Sequence, residues 1–121
     1  DSLDNVGSDP YWLGHEGVDP YNFVYDATKK NLGISNKFSK DHNIWIQCYG
    51  TPRGREEEII SATDAAYDAG ARTILAWGYR GSDANDYRAR NPELTWKITG
   101  DAMYRILERD RNERRESYIA R

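Results

Sequence analysis

Short apolar runs alternate with longer segments of helical spacing along this chain. Three runs, at residues 2–7, 44–49 and 73–78, are rich in β-branched or aromatic residues and end at turn residues, which predicts strands. Between them, apolar residues recur every three or four positions, which predicts helices that begin at Pro20, near Glu56 and at Pro92. Strands that alternate with helices are typical of a parallel sheet with right-handed crossovers. We therefore predict an α/β fold of three consecutive βα units.

Capping residues predict where the helices begin and end. Asp19 precedes Pro20, which combines an N-cap side chain with proline in the first helical turn. Gly70 stands where a left-handed C-cap is needed, and Gly33 ends the apolar pattern of the first helix. Residues 34–40 are accordingly predicted as a frayed end or a second short helix. The alternating charges after Leu107 predict a solvated helix end or a tail at residues 109–121, beyond a domain at residues 1–108.

Two of the predicted strands resemble each other at a spacing of 30 residues, which is about one βα unit. Their alignment places Gln47 opposite Trp77 and Tyr49 opposite Tyr79. Successive side chains of a strand point to opposite faces. We therefore predict that Gln47 and Tyr49 share a face, and that Trp77 and Tyr79 do the same.

Composition and charge exclude several classes of partner. The formal charge is −3 and the 17 basic residues are scattered, so no nucleic-acid partner is predicted. No apolar run approaches the roughly 20 residues that cross a bilayer, so no membrane partner is predicted. Cys48 is the only cysteine, which excludes an internal disulfide and a cysteine-based zinc site and leaves the compartment open. We predict no metal and no cofactor.

The aromatic residues are mainly those with a polar tip. Nine Tyr and four Trp accompany only two Phe. Such side chains suit half-wet surfaces such as interfaces and sugar clefts, although they can also cap a small core.

Side chains that can bind or react follow each predicted strand. The carboxyl ends of parallel strands are where ligands collect, because loops and helix N-termini converge there. Following strand one are Asp9, Tyr11, Trp12, His15 and Glu16; following strand two, Tyr49, Arg53, Arg55 and Glu56; following strand three, Trp77, Tyr79, Arg80, Asp83 and Asp86. The turns at the other end of the strands are plain by comparison, which favours a binding site at the carboxyl ends.

Three segments resemble the last three βα units of a (β/α)₈ TIM-barrel glycoside hydrolase. They are Asp-Pro-Tyr-Trp at 9–12, Ile-Trp-Ile-Gln at 44–47, and Ile-Leu-Ala-Trp-Gly-Tyr-Arg-Gly at 74–81 after Asp-Ala-Gly-Ala-Arg. The resemblance implies a carbohydrate partner, with Trp77 as the platform beneath a sugar ring. It also implies that Gln47, Tyr49 and Tyr79 hydrogen-bond sugar hydroxyls. We add Tyr11, Trp12, Arg53 and Arg80 to the substrate-binding candidates. Arg53 and Arg55 are predicted either to bind the carboxylate of a uronic or sialic substrate or to pair with Glu56 to Glu58.

The chain departs from that family at its most informative position. Retaining enzymes of the largest barrel clan carry a nucleophilic glutamate where this chain has Gln47, which cannot ionise. Asp9 is the best candidate for a catalytic carboxylate, because it follows a strand and neighbours two aromatics. Asp before Pro is also a routine turn residue. His15 beside Glu16 has the composition of an acid-base or metal pair, although an isolated loop histidine is more often solvated. A hydrolase would need a second carboxyl group.

Three βα units leave a sheet with exposed edges and one bare face. The sequence starts at Asp1 without methionine, so we expect the C-terminal part of a barrel, completed by the remaining part or by another chain. In one alternative the protein is a non-catalytic carbohydrate-binding or assembly fragment. In another, a small open parallel sheet is completed by oligomerisation, and Gln47, Tyr49, Trp77 and Tyr79 form a protein interface.

Overall fold

The chain folds as three βα units in sequence. The computed structural model describes residues 3–80 and 87–121. Its elements are β1 (Asn5–Ser8), a 3-10 helix (Trp12–Gly14), α1 (Pro20–Lys37), β2 (Asp41–Gln47), α2 (Glu58–Asp68), β3 (Ile74–Trp77) and α3 (Pro92–Ile119). The predicted α/β class with three βα units is confirmed. Asp83 and Asp86, two of the predicted candidates, lie outside the described residues.

The three strands form one parallel sheet in the order β1-β2-β3. Ser8 lies opposite Ile44, and Ile44 lies opposite Ile74. Gln47 is the partner of Trp77, so the offset of 30 residues between the two similar strands is also their pairing register. Aligned side chains of β2 and β3 are therefore neighbours in space.

The helices cover one face of the sheet. α1 packs on β1 and β2, α2 packs on β2 and β3, and α2 also lies between α1 and α3. Ile44 and Ile46 of β2 point into this layer and are fully buried together with Val24, Ile59 and Ala62. Burial of such side chains stabilises each by about 1.5–3 kcal/mol relative to exposure.

The opposite face is not covered by any helix of the described ranges. We call it the open face. By strand alternation its residues are Asn5, Gly7, Asn43, Trp45, Gln47, Leu75 and Trp77, of which Gln47 is buried. Trp77 is 52% exposed and Leu75 is 37% exposed. Two large apolar side chains therefore meet solvent on this face.

The helix ends confirm two predictions and correct a third. Asp19 caps α1 by accepting a hydrogen bond from the Asn22 amide, and Gly70 has a φ of 111° directly after α2. Gly33 was predicted to end the first helix, which is wrong, because α1 continues to Lys37. An exposed glycine inside a helix costs only about 1 kcal/mol. Here the buried polar residues Thr28, Asn31 and Ser35 continue the helical spacing past it.

The charged C-terminal segment continues α3 past residue 108 and up to Ile119. Its inner side binds α2: Arg109 pairs with Asp68 at 2.5 Å, and the Tyr67 hydroxyl donates to Glu113 at 2.7 Å. Its more exposed side carries pairs such as Arg111 with Glu108, three residues apart. The alternating charges thus belong to a solvated helix that is held along one side.

Two glycine substitutions are expected to have opposite effects on stability. Gly70→Ala should lower the free energy of unfolding by about 1 kcal/mol or more, because φ is positive and the new Cβ would lie 3.1 Å from Leu32 Cδ1. Gly33→Ala should raise it by about 0.5–1 kcal/mol, because a Cβ there meets no atom within 4 Å. Urea unfolding followed by circular dichroism measures both. Equal effects of the two variants would contradict the assigned ends of α1 and α2.

Candidate functional site

A cleft lies on the open face at the carboxyl ends of the strands. Its volume is about 320 Å³, and it is lined by Gly7, Asp9, Tyr11, Trp45 and Trp77. The strands β1, β2 and β3 each contribute to it directly or through the residues that follow them. Three of the five lining residues, Asp9, Tyr11 and Trp77, are among the predicted site residues.

The two indoles of the cleft are held in a fixed relation. The rings of Trp45 and Trp77 meet edge to face, with centroids 5.9 Å apart. Trp45 Nε1 donates to Asn43 Oδ1 at 2.9 Å, and the Asn43 amide in turn donates to the side chain of Asn5. The Trp77 indole is 52% exposed, and within the described residues its N–H makes no hydrogen bond.

Gly7 makes this arrangement possible. It pairs with Asn43 in the sheet register, and a Cβ added to it would collide with Asn43 Oδ1. A side chain at residue 7 would therefore displace the amide that orients Trp45. The glycine also leaves the floor of the cleft open beside Asp9.

Asp9 and Tyr11 form the polar side of the cleft. The Tyr11 hydroxyl donates to Asp9 Oδ2 at 2.5 Å. This hydrogen bond, with lesser effects of burial and of the Asp9 charge, raises the pKa of Tyr11 to about 12. The phenol is therefore neutral near pH 7 and holds one carboxylate oxygen, which leaves the other oxygen as an acceptor.

The side chains of Gln47 and Trp12 are buried and make contacts inside the protein. Gln47 is 4% exposed; its Oε1 accepts from the Leu13 amide at 3.3 Å and its Nε2 donates to the Tyr49 carbonyl at 3.4 Å. Trp12 is fully buried within the core cluster. Both side chains thus position the 3-10 helix and lie outside the cleft.

Tyr79 does not share a face with Trp77, which corrects that prediction. Gly78 has a φ of 74° and ends the alternation of β3, so Tyr79 turns toward the helices and its ring packs on Trp96 at 4.8 Å. The Arg80 guanidinium lies over the ring of Tyr79, 5.5 Å from its centroid. Tyr49 is closer to the cleft, since its ring meets that of Tyr11 at 5.3 Å.

The charged loop residues are dispersed around the site. Arg53 is exposed. Arg55 forms two hydrogen bonds with Glu58, which is the pairing that the alternative prediction for the two arginines stated. His15 is exposed and its ring contacts Phe23 at 5.1 Å. Within residues 3–80 and 87–121, Asp9 is the carboxylate that lines the cleft.

Sequence reasoning missed Trp45 and Gly7. The alternation that linked Gln47 with Tyr49 also places Trp45 on their face, two residues earlier, so the signal for the indole was present. Nothing in the sequence marks Gly7 as a residue that must lack a side chain, because the collision depends on pairing with Asn43.

The described residues contain no cluster of three or more His, Cys, Asp or Glu side chains that could hold a metal ion. None of the helices described is both long and apolar enough to span a membrane. No family model, no curated protein and no solved structure matches the chain.

The Asp9–Tyr11 hydrogen bond makes a titration prediction. Asp9→Asn should lower the pKa of Tyr11 from about 12 toward the ordinary value of 10, because the carboxylate is the largest cause of the shift. Since the folded-state pKa is the higher one, the interaction stabilises the fold below pH 10 and is lost as the pH rises through 12.

NMR of protein labelled with ¹³Cζ-tyrosine would follow each ring separately. Tyr21 is the internal control, because its pKa is raised by the hydrogen bond to Asp68 and should not respond to Asp9→Asn. An unchanged titration of Tyr11 would show that the hydrogen bond is absent in solution.

Proposed function

We propose that this chain supplies the last three βα units of a (β/α)₈ glycoside hydrolase-like barrel, and that its open face forms an aromatic wall of the carbohydrate cleft. The observation that carries the proposal is Trp77, a half-exposed indole that lines the cleft together with the carboxylate of Asp9. An indole face packs on the C–H groups of a sugar, while carboxylate and phenol oxygens bind its hydroxyls.

The order of the strands supports the barrel. Each strand pairs with the next one in sequence, and the three helices follow one another along the same face. Barrels are built in this way, whereas doubly wound sheets reverse the strand order and carry helices on both faces. In a closed barrel the open face would line the interior, and the cleft would lie at the end where barrel enzymes bind substrate.

Assembly is a second candidate, which a specific observation favours. Leu75 and Trp77 are both exposed on the open face, although Leu75 does not line the cleft. An apolar surface of this kind is typical of contacts between proteins as well as of ligand sites. Leu75 allows the two candidates to be separated, because it is part of the exposed apolar surface but does not line the cleft.

Trp77→Ala should weaken binding of soluble neutral oligosaccharides by at least about tenfold, because it removes a half-exposed indole that lines the cleft. The matched control is Leu75→Thr, which keeps a strand-forming residue on the same face and should leave affinity within about twofold. Isothermal titration calorimetry measures the affinities, and light scattering on the same samples gives the mass. A lower mass for both variants, with no glycan bound by the parent, would favour assembly over carbohydrate binding.

Asp9→Asn tests the catalytic proposal in the complete barrel. Loss of a general acid or base should lower turnover by about 100-fold or more. Affinity should change little, because the asparagine oxygen still accepts a hydrogen bond from Tyr11 and its NH₂ group still hydrogen-bonds a sugar hydroxyl as a donor. The control is Asp4→Asn, an exposed residue outside the cleft. Turnover equal to that of the parent would leave Asp9 as a turn and binding residue.

A further inference from the structure

A row of three tyrosines leads away from the cleft. Tyr11 lines the cleft, its ring meets that of Tyr49 at 5.3 Å, and Tyr49 in turn meets Tyr87 at 5.9 Å. Both contacts are edge to face, with interplanar angles of 84° and 76°. Tyr87 remains 55% exposed. Aromatic surface therefore continues from the strand ends of β1 and β2 onto the segment that precedes α3.

Backbone hydrogen bonds hold the segment that carries Tyr87, the last residue of this row. The Tyr87 carbonyl accepts a hydrogen bond from the Gly50 amide at 2.7 Å. Two residues later the Ala89 amide donates to the Tyr79 carbonyl at 3.0 Å. Side chains mounted on such a segment are preorganised, so less conformational entropy is lost when a ligand binds.

The middle ring is held in place by β3. The Tyr49 amide donates to the Trp77 carbonyl at 3.2 Å. A Cβ at Gly78 would lie 3.3 Å from Tyr49 Cβ, so the absence of a side chain at residue 78 lets the tyrosine sit close to the end of the strand. Burial, above all, raises the pKa of Tyr49, so its hydroxyl remains a neutral donor and acceptor.

We propose that Tyr49 and Tyr87 extend the cleft into a second subsite, so that the ligand is an oligosaccharide chain rather than a single sugar. This inference rests on the proposed carbohydrate function and deepens it. Phenol rings offer an apolar face and a polar tip, the combination that a chain of linked sugar rings presents in return. A proline-rich peptide is the main competitor, because such peptides also dock on aromatic grooves.

A series of oligosaccharides of increasing length tests the second subsite. Neutral β-1,4-linked glucose, xylose and N-acetylglucosamine oligomers of two, four and six units would be titrated into the purified chain. For the oligomer that binds, we expect affinity to rise about tenfold from two to four units in the parent. Tyr87→Ala should abolish that rise and leave the two-unit affinity unchanged, whereas Tyr87→Phe should keep most of it.

The matched control is Tyr104→Ala, which removes a similarly exposed tyrosine from α3, outside the row. If Tyr87→Ala binds the four-unit oligomer as the parent does while Trp77→Ala does not, the second subsite is wrong and the proposed function stands. If the parent binds none of these sugars but binds a proline-rich peptide through Tyr87, both proposals are overturned.

Discussion

The open face of the sheet is the constraint on which the rest of this structure depends. Parallel sheets are normally covered on both faces. Here α1 and α2 cover one face, with α3 packed against α2, and the other face changes from polar to aromatic residues along the strands. Its first rows hold the amides of Asn5 and Asn43, and its last rows hold Trp45 and Trp77. The cleft lies at the aromatic end because only there does apolar surface meet the loops that follow the strands.

The contacts on the open face depend on one another. Gly7 leaves room for the Asn43 amide, the amide accepts the indole N–H of Trp45, and the Trp45 ring fixes the edge-to-face contact with Trp77. Each step satisfies a polar group or packs a ring without a charge. The two indoles are thereby preorganised, and the charge in the cleft is the carboxylate of Asp9 on its polar side.

Local chemistry predicts much of this fold, and contacts distant in sequence account for what it misses. Asp19-Pro20 and Gly70 act through their own backbone, so their effects can be read from the sequence. The course of α1 past Gly33 depends on the burial of Asn31 and Ser35, which hydrophobic spacing does not register. Tyr79 leaves the face of Trp77 because Gly78 adopts positive φ. The sequence predicts Trp12 in a loop, whereas in the structure its side chain packs within the core cluster.

Gln47 is a buried structural residue at the carboxyl end of β2. Its side-chain oxygen accepts a hydrogen bond from the Leu13 N–H, and its side-chain nitrogen donates one to the Tyr49 carbonyl. The side-chain amide is therefore hydrogen-bonded at both polar atoms, although the residue is only 4% exposed. A glutamate there would lose the donor and set an oxygen against the Tyr49 carbonyl, and burying its charge without a partner would be costly. The Gln47 side chain therefore links the 3-10 helix to the carboxyl end of β2. The carboxylate that lines the cleft is instead Asp9, whose Oδ2 accepts the Tyr11 hydroxyl.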